Sequence, residues 1–444
     1  MNKHVLVIGD KNSVHVFLGL LAKLQYNLSI VVVQNLRETQ TKIKDCRPDA
    51  IIFDDDYQFK GGKQEKKFLY GWLAQSKNEF LAISSNKSFN HVLKIFQCGA
   101  VDFLIRPFHE REVLSRIDAY LRRKRRIACL GGGTGLFNLL LGLKTLQDVH
   151  LTSIVSTSDD GGSSGRLMSS FGILPPGDIR RSLVALSNAP DILNELMKYR
   201  FEKGRGLKGH NFGNLILTAL ADMSGSVRDG VRSLCEILNI QGIILPITTM
   251  QTTLCAQFEN KKIVKGESNI DLGKFRDPHL RIKKLWHTPP TTCDIDVFVA
   301  ILSAEVVIIG PGDLYTSVIT NLLVRYVRQA IAFTKGEVLY ICNLMTKPGE
   351  TPDFDGCDHV REIIKYLKGD YLDHVIFSNS QPSGGALQKY SAMGQQPVAL
   401  GDLKQIKKLT AANLHVSNVG HEYDLIRHDS LRIASFIERA ILRN

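Results

Sequence analysis

From Lys3 to about Arg122, short apolar runs alternate with amphipathic stretches. The pattern predicts strands at His4–Ile8, Leu28–Val33, Ala50–Phe53, Phe80–Ile83 and Val101–Ile105. Helices are predicted between and after them, at Val14–Lys23, Arg37–Asp45, Phe68–Gln75, Asn90–Cys98 and His109–Arg122. Strands alternating with helices mean a parallel sheet covered on both faces. Such repeats over about 120 residues predict a flavodoxin-like order, with its crevice at the C-terminal strand ends. A new pattern begins at Ile127. A strand, Ile127–Leu130, runs into Gly131-Gly132-Gly133-Thr134-Gly135 and a helix at Phe137–Leu146, and further strands are predicted at Thr152–Thr157 and Val306–Ile309. The whole chain is therefore expected to be α/β, a flavodoxin-like domain followed by a larger Rossmann-like domain with a parallel sheet.

Composition narrows the class. Of 444 residues, 44% are hydrophobic and 23% charged, which excludes wholesale disorder, collagen-like repeats and a disulfide-stapled mini-protein. Apolar runs such as Val297–Leu302 are far shorter than the roughly 20 residues of a membrane span. The N-terminal apolar run ends at Asp10 without a small-residue cleavage site, so a cytoplasmic location is expected. Eight cysteines form no CxxC pair, so neither zinc nor disulfides are expected. The net charge of +12 invites a nucleic-acid partner. Much of the excess is local, however, in Arg122-Arg123-Lys124-Arg125-Arg126, and no nucleic-acid motif accompanies it. The run reads as a solvated linker, residues 122–126, between domains at 1–121 and 127–444.

The candidate chemistry lies at strand ends. A glycine turn between strand and helix, here Gly132, Gly133, Thr134 and Gly135, lets backbone N–H groups approach a diphosphate. Alone it reads equally as a tight turn, because Leu136 replaces the last glycine of a full fingerprint. Asp159 and Asp160, followed by glycines and serines, are the candidate Mg²⁺ ligands. In Pro175-Pro176-Gly177-Asp178-Ile179-Arg180, Asp178 reads as a helix N-cap and Arg180 as a phosphate contact. His210, Asn211 and Asn214 open another helix with an amide-rich first turn. Gly310 and Gly312 form a second strand–glycine–helix turn.

Two resemblances follow. Pro48–Asp54 and Gly99–Phe108 resemble the receiver domain of response regulators. That implies Asp54 as phosphoacceptor, Ser84 or Ser85 as the hydroxyl contact, and Asp10 in the acidic pair that holds Mg²⁺. Gly9 replaces the second acid and Arg106 the usual lysine. Arginine keeps the charge but not the compact ammonium, so a docking pseudo-receiver and a phosphorylated switch are equally supported. Gly131–Gly135, Asp159–Gly165, Pro175–Arg180, His210–Asn214, Gly310–Ser317 and Asn343–Thr351 together resemble the gluconeogenesis factor family of bacteria, within the 2-phospho-L-lactate transferase superfamily. The resemblance implies a regulator that binds UDP-N-acetylglucosamine or UDP-glucose and acts in carbon metabolism, cell shape and wall synthesis. It also implies Tyr390 and Arg427 as ligand contacts, through ring stacking and a guanidinium on the diphosphate. An Mg²⁺-dependent transferase acting on a nucleoside diphosphate-linked substrate is the alternative. Expected partners are the nucleotide sugar and a protein docked on the receiver-like half, with self-association left open. Within the family pattern Asp313 stands where serine is usual, Asn211 where serine is usual, and Lys347 where glutamine is usual. An added carboxylate at Asp313 should oppose an anionic ligand.

Overall fold

The computed structural model describes residues 2–9, 15–24, 26–272, 277–422 and 425–442. Asp10, expected in the receiver's acidic pair, lies outside them. The first sheet holds β1 (Asn2–Ile8), β2 (Asn27–Val33), β3 (Ala50–Asp54), β4 (Phe80–Ser84) and β5 (Ala100–Ile105) in the order β2-β1-β3-β4-β5. All its pairings are parallel, which is the flavodoxin-like order. Alternate residues face opposite sides. Val5, Val7, Ala50 and Ile52 meet α1 (His15–Leu21) and α5 (Glu110–Arg122). Leu6, Ile8, Ile51 and Phe53 meet α3 (Gly62–Ser76) and α4 (Phe89–Gln97); α2 (Leu36–Cys46) follows β2. Helix α3 starts six residues before the predicted Phe68. Its first turns are polar and largely exposed, and only Leu69 and Leu73 anchor it, so no apolar period marks its start.

The second sheet is built from β6 (Arg125–Gly131), β7 (Val149–Val155), β8 (Ile243–Pro246), β12 (Val306–Ile309), β13 (Glu337–Ile341), β14 (His374–Ser378) and β15 (Asn413–Ser417). Their order is β15-β14-β13-β12-β6-β7-β8, parallel throughout. Strands β9 (Thr253–Phe258), β10 (Ile263–Lys265) and β11 (Ile282–Thr288) make a separate antiparallel sheet, and β16 (Gly420–Glu422) pairs with β17 (Ile426–His428). Helix α6 (Gly133–Leu143) leads from β6 to β7 on one side, while β12 leads on to β13 on the other. The strand order therefore reverses between β6 and β12, the switch point where such sheets open a ligand crevice.

The basic run is not a separate linker. Helix α5 ends at Arg122 and β6 begins at Arg125. Arg122 and Lys124 pair with Asp118, and Arg125 and Arg126 pair with Glu305. These four cations are paired at the surface, Arg122 within its own helix and Arg125 and Arg126 with the Glu305 that follows α13 (Ile295–Ser303).

Apolar contact joins the halves. One buried cluster runs from Phe80, Val92 and Phe103 to Phe298, Ile301 and Val307. Phe89 of α4 stacks on Tyr326 at 3.9 Å between ring centroids and meets Phe298 edge-on at 5.1 Å. Phe298 belongs to α13 (Ile295–Ser303). Helix α5 also meets the second domain: Glu112 pairs with Arg232 at 3.2 Å, Ser115 Oγ and His150 Nε2 lie 2.9 Å apart, and Arg111 donates to the carbonyls of Cys235 and Ile240. Phe89→Ala should remove on the order of 2 kcal/mol of aromatic packing. Calorimetry of the full chain is expected to change from one cooperative transition to two; a single transition at lower temperature would show that the halves unfold together regardless.

Candidate functional site

The glycine turn sits at the switch point. Gly132 caps α6, and Gly133 adopts φ +64°, a left-handed conformation natural to glycine. A side chain on Gly135 would collide with the Pro311 carbonyl, so the two glycine turns touch backbone to backbone. Asn343 Nδ2 donates to the Gly312 carbonyl at 2.8 Å and fixes the second turn. Above them opens a cleft of about 590 Å³ lined by both turns, Asp159, Asp178, Arg181, Lys347, Tyr390 and Arg427, among others. That volume suits a nucleotide-sized ligand.

Asp178 does not cap its helix. Pro176 is the N-cap of α8 (Gly177–Leu186), and Asp178 lies within the first turn. Its carboxylate accepts from the Gly133 amide, and from Arg181 Nη1 at 3.0 Å. Burial pushes the Asp178 carboxyl up to about 6, against the pull of Arg181. Glu267, on the short helix α12 (Glu267–Leu272; the intervening helices are α7, Gly162–Phe171, α9, Asp191–Lys198, α10, Phe212–Ser224, and α11, Val227–Ile237), is pushed up to about 9 by burial and by Asp159 and Asp271.

The expected Mg²⁺ pair does not converge. Asp160 accepts from the Glu267 and Ser268 amides at 3.1 and 2.8 Å and so caps α12. Asp159 alone of the two lines the cleft, where it accepts from the Gly161 amide at 3.1 Å and Ser164 Oγ at 2.8 Å. Two adjacent residues point apart here because one side chain serves a loop and the other a helix end.

A second group stands beside the cleft rather than on it. Asn211 caps α10, accepting from the Asn214 amide at 3.1 Å and donating to the Lys198 and Tyr199 carbonyls. Asn214 Oδ1 accepts from Arg180 Nε at 3.0 Å, and His210 Nδ1 lies 3.1 Å from Ser163 Oγ. Arg180, His210, Asn211, Asn214 and Gly310 are not among the described residues that line the cleft. Arg181, the next residue along α8, takes the position expected of Arg180 because a one-residue step on a helix turns the side chain by about 100°. Tyr390 is buried at 5% exposure, and its hydroxyl donates to the Ile426 carbonyl at 2.7 Å. It holds β17 in place, and β17 presents the exposed Arg427 to the cleft. Glu267 and Asp271 carried no sequence signal, being on a six-residue helix outside every motif.

Asp313 and Lys347 prove to be one feature. Lys347 Nζ lies 2.6 Å from Asp313 Oδ2 and 3.3 Å from Glu350 Oε1, and it also pairs with Asp271. The Asp313 carboxylate, expected to repel an anion, is thus paired with Lys347, whose ammonium is shared among three carboxylates.

In the N-terminal domain Asp54 is fully buried, and both its oxygens accept from Arg106, at 2.9 and 3.1 Å. Arg106 also reaches Asp56 at 2.7 Å, and Ser84 Oγ donates to Asp56 at 2.8 Å. Burial opposes ionisation of Asp55, yet hydrogen bonds from His91, Lys66 and Tyr70 hold it well below the usual carboxylate range. A bidentate guanidinium on the acceptor carboxylate is a strong closed contact.

Comparison with known proteins fits the second domain. The sequence model of the 2-phospho-L-lactate transferase CofD family matches residues 127–418. The gluconeogenesis factor of Bacillus subtilis is 37% identical over 322 residues, covering 71% of this chain and 98% of that one. The chain belongs to the gluconeogenesis factor family. A putative gluconeogenesis factor of Thermotoga maritima is 39% identical over 317 residues, again 71% and 98% of the two chains. A crystal structure of a UPF0052 family protein from Bacillus halodurans superposes with a TM-score of 0.67 at 37% identity, covering 72% of this chain and 99% of that one. The family model thus spans both glycine turns and begins within β6, while the cleft residues Leu425–His428 lie beyond its last matched residue. No helix among the described residues is long and apolar enough to cross a membrane.

Two outcomes test the site. A carboxyl raised to about 6 contributes stability below its ordinary range, and that contribution is lost as pH rises through 6. Asp178→Asn should therefore stabilise the protein relative to wild type by roughly 2–3 kcal/mol at pH 8, with the gain vanishing by pH 4. Urea unfolding at the two pH values checks this, and an equal difference at both would place the ionisation elsewhere. Incubation with acetyl phosphate and Mg²⁺ should leave the intact mass unchanged, because Arg106 already fills the Asp54 carboxylate. A phosphorylated population that disappears in Asp54→Asn would show a working switch.

Proposed function

We propose that this protein is a regulator that binds a nucleotide sugar, UDP-N-acetylglucosamine or UDP-glucose, in the cleft between the two glycine turns. The observation that carries this reading is the backbone contact of those turns at the switch point, beside the exposed Arg427. Amides at the start of α6 and the Arg427 guanidinium suit a diphosphate, and the cleft has room for a base and a sugar. Relatives bear the name gluconeogenesis factor, which supports a role in carbon metabolism; the wider role in cell shape and wall synthesis follows from the family resemblance. The N-terminal domain serves as a docked pseudo-receiver, its acceptor carboxylate held by Arg106, and it offers a surface for a protein partner in the cytoplasm.

A second reading, a transferase acting on a nucleoside diphosphate-linked substrate, is favoured by Asp178. A buried carboxyl near 6 in a ligand cleft is poised for proton transfer. Calorimetric titration of the full chain with UDP-N-acetylglucosamine, UDP-glucose and GDP distinguishes the readings. Saturable binding of a UDP-sugar with no product formed supports the regulator, and steady product formation supports the transferase. Arg427→Ala should weaken UDP-sugar binding by roughly 10- to 100-fold, the worth of a charged hydrogen bond. Its melting temperature should stay at the wild-type value, since the side chain is exposed.

A further inference from the structure

We propose that Lys347 is the resident cation of the cleft, filling the position a divalent metal would take, so that ligands bind there without one. Asp271, Asp313 and Glu350 each offer a carboxylate oxygen, and the three oxygens lie within 4.8 Å of one another. Such a convergence of oxygen donors is what a hard cation needs. Among the described residues it is the one cluster of three such groups. The position is taken by the chain itself. Lys347 Nζ is in ion-pair contact with all three carboxylates. An ammonium has three donors, and one of them goes to Asp313 Oδ2 at 2.6 Å.

Glu350 is committed further. It is fully buried, and it accepts from the Tyr315 amide at 3.1 Å, the Thr316 amide at 3.4 Å and the Thr316 hydroxyl at 2.9 Å. A divalent ion would need these oxygens at 2.0–2.6 Å and would meet the ammonium head-on, a repulsion that low local dielectric strengthens. Asp159 and Asp160 offer no substitute, since Asp160 faces the first amides of α12. Asp313 adds a carboxylate, Lys347 adds an ammonium, and the two meet at 2.6 Å. The consequence for ligands rests on the nucleotide-sugar reading; the occupation of the cation position does not.

The test uses Mn²⁺ alone, followed by its electron paramagnetic resonance signal, on the full chain freed of metal. Wild type should show no saturable site in the cleft tighter than about 1 mM, the weak end of carboxylate cation sites. Lys347→Gln should gain one Mn²⁺ site at least tenfold tighter. The double variant D313S/K347Q should lose most of that gain, because one of the three carboxylates is gone. Tight Mn²⁺ binding by wild type that is lost in Asp313→Ser would overturn the proposal. So would a folded Lys347→Gln, judged by circular dichroism, that gains no site. Titration of wild type with UDP-glucose in Mg²⁺ and in EDTA should then give equal affinities, and a requirement for Mg²⁺ would again overturn the proposal. Absence of UDP-glucose binding in both buffers counts against the nucleotide-sugar reading alone, and the Mn²⁺ arms still decide the role of Lys347.

Discussion

The site depends on two glycine turns meeting main chain to main chain. β6 and β12 are adjacent and parallel, so their following turns emerge side by side at one sheet edge. Only a residue without a side chain lets the start of α6 come so near the Pro311 carbonyl. That approach sets the floor of the cleft, and the amides at the start of α6 give it a positive character. Asp178 already answers part of that field by accepting the Gly133 amide, and its burial keeps the carboxyl near 6. Any phosphate bound there would share the helix terminus with an internal acid. The proximity of Arg181 to that acid is what makes the sharing affordable.

The cleft carries charges of both signs. Asp159, Asp178, Glu267, Asp271 and Asp313 all line it, against Arg181, Lys347 and Arg427. Burial raises Glu267 to about 9, so at neutral pH it is held protonated and adds no negative charge. Burial lowers the Lys347 ammonium's preference for charge, but the surrounding Glu350, Asp313 and Asp271 more than reverse this and hold it above the usual lysine range. The same economy runs through the N-terminal domain, where Arg106 is shared between Asp54 and Asp56. It recurs at the junction, where Glu305 takes both Arg125 and Arg126. Such pairing uses one acid for each base and leaves the chain's net charge of +12 in place.

The junction between the halves has the character of a core. Phe89 leads α4 directly after the β4 end that carries Ser84, and it stacks on Tyr326 of the second domain. A change at the Asp54 pocket would have to move a packed aromatic pair before the second domain could sense it. Interiors resist such movement, so the contact favours a fixed mutual arrangement.

The sequence by itself determined the elements of the first domain and their order. Short continuous apolar runs separated by helical stretches specified the first sheet, since strands buried on both faces must be apolar, and the glycine turns announced where the second sheet opens. Directions of side chains were decided elsewhere. Arg180 and Arg181 are chemically alike, and only the packing of α8 turns the second toward the cleft. Asp159 and Asp160 read as a pair, yet α12, folded from a segment with no motif, captures the second carboxylate. The opposite effect joined Asp313 to Lys347, 34 residues away in the chain, because β12 and β13 lie side by side. Local pattern encodes backbone periodicity, whereas the partner of a charge depends on which strands become neighbours, and that is settled only when the sheet closes.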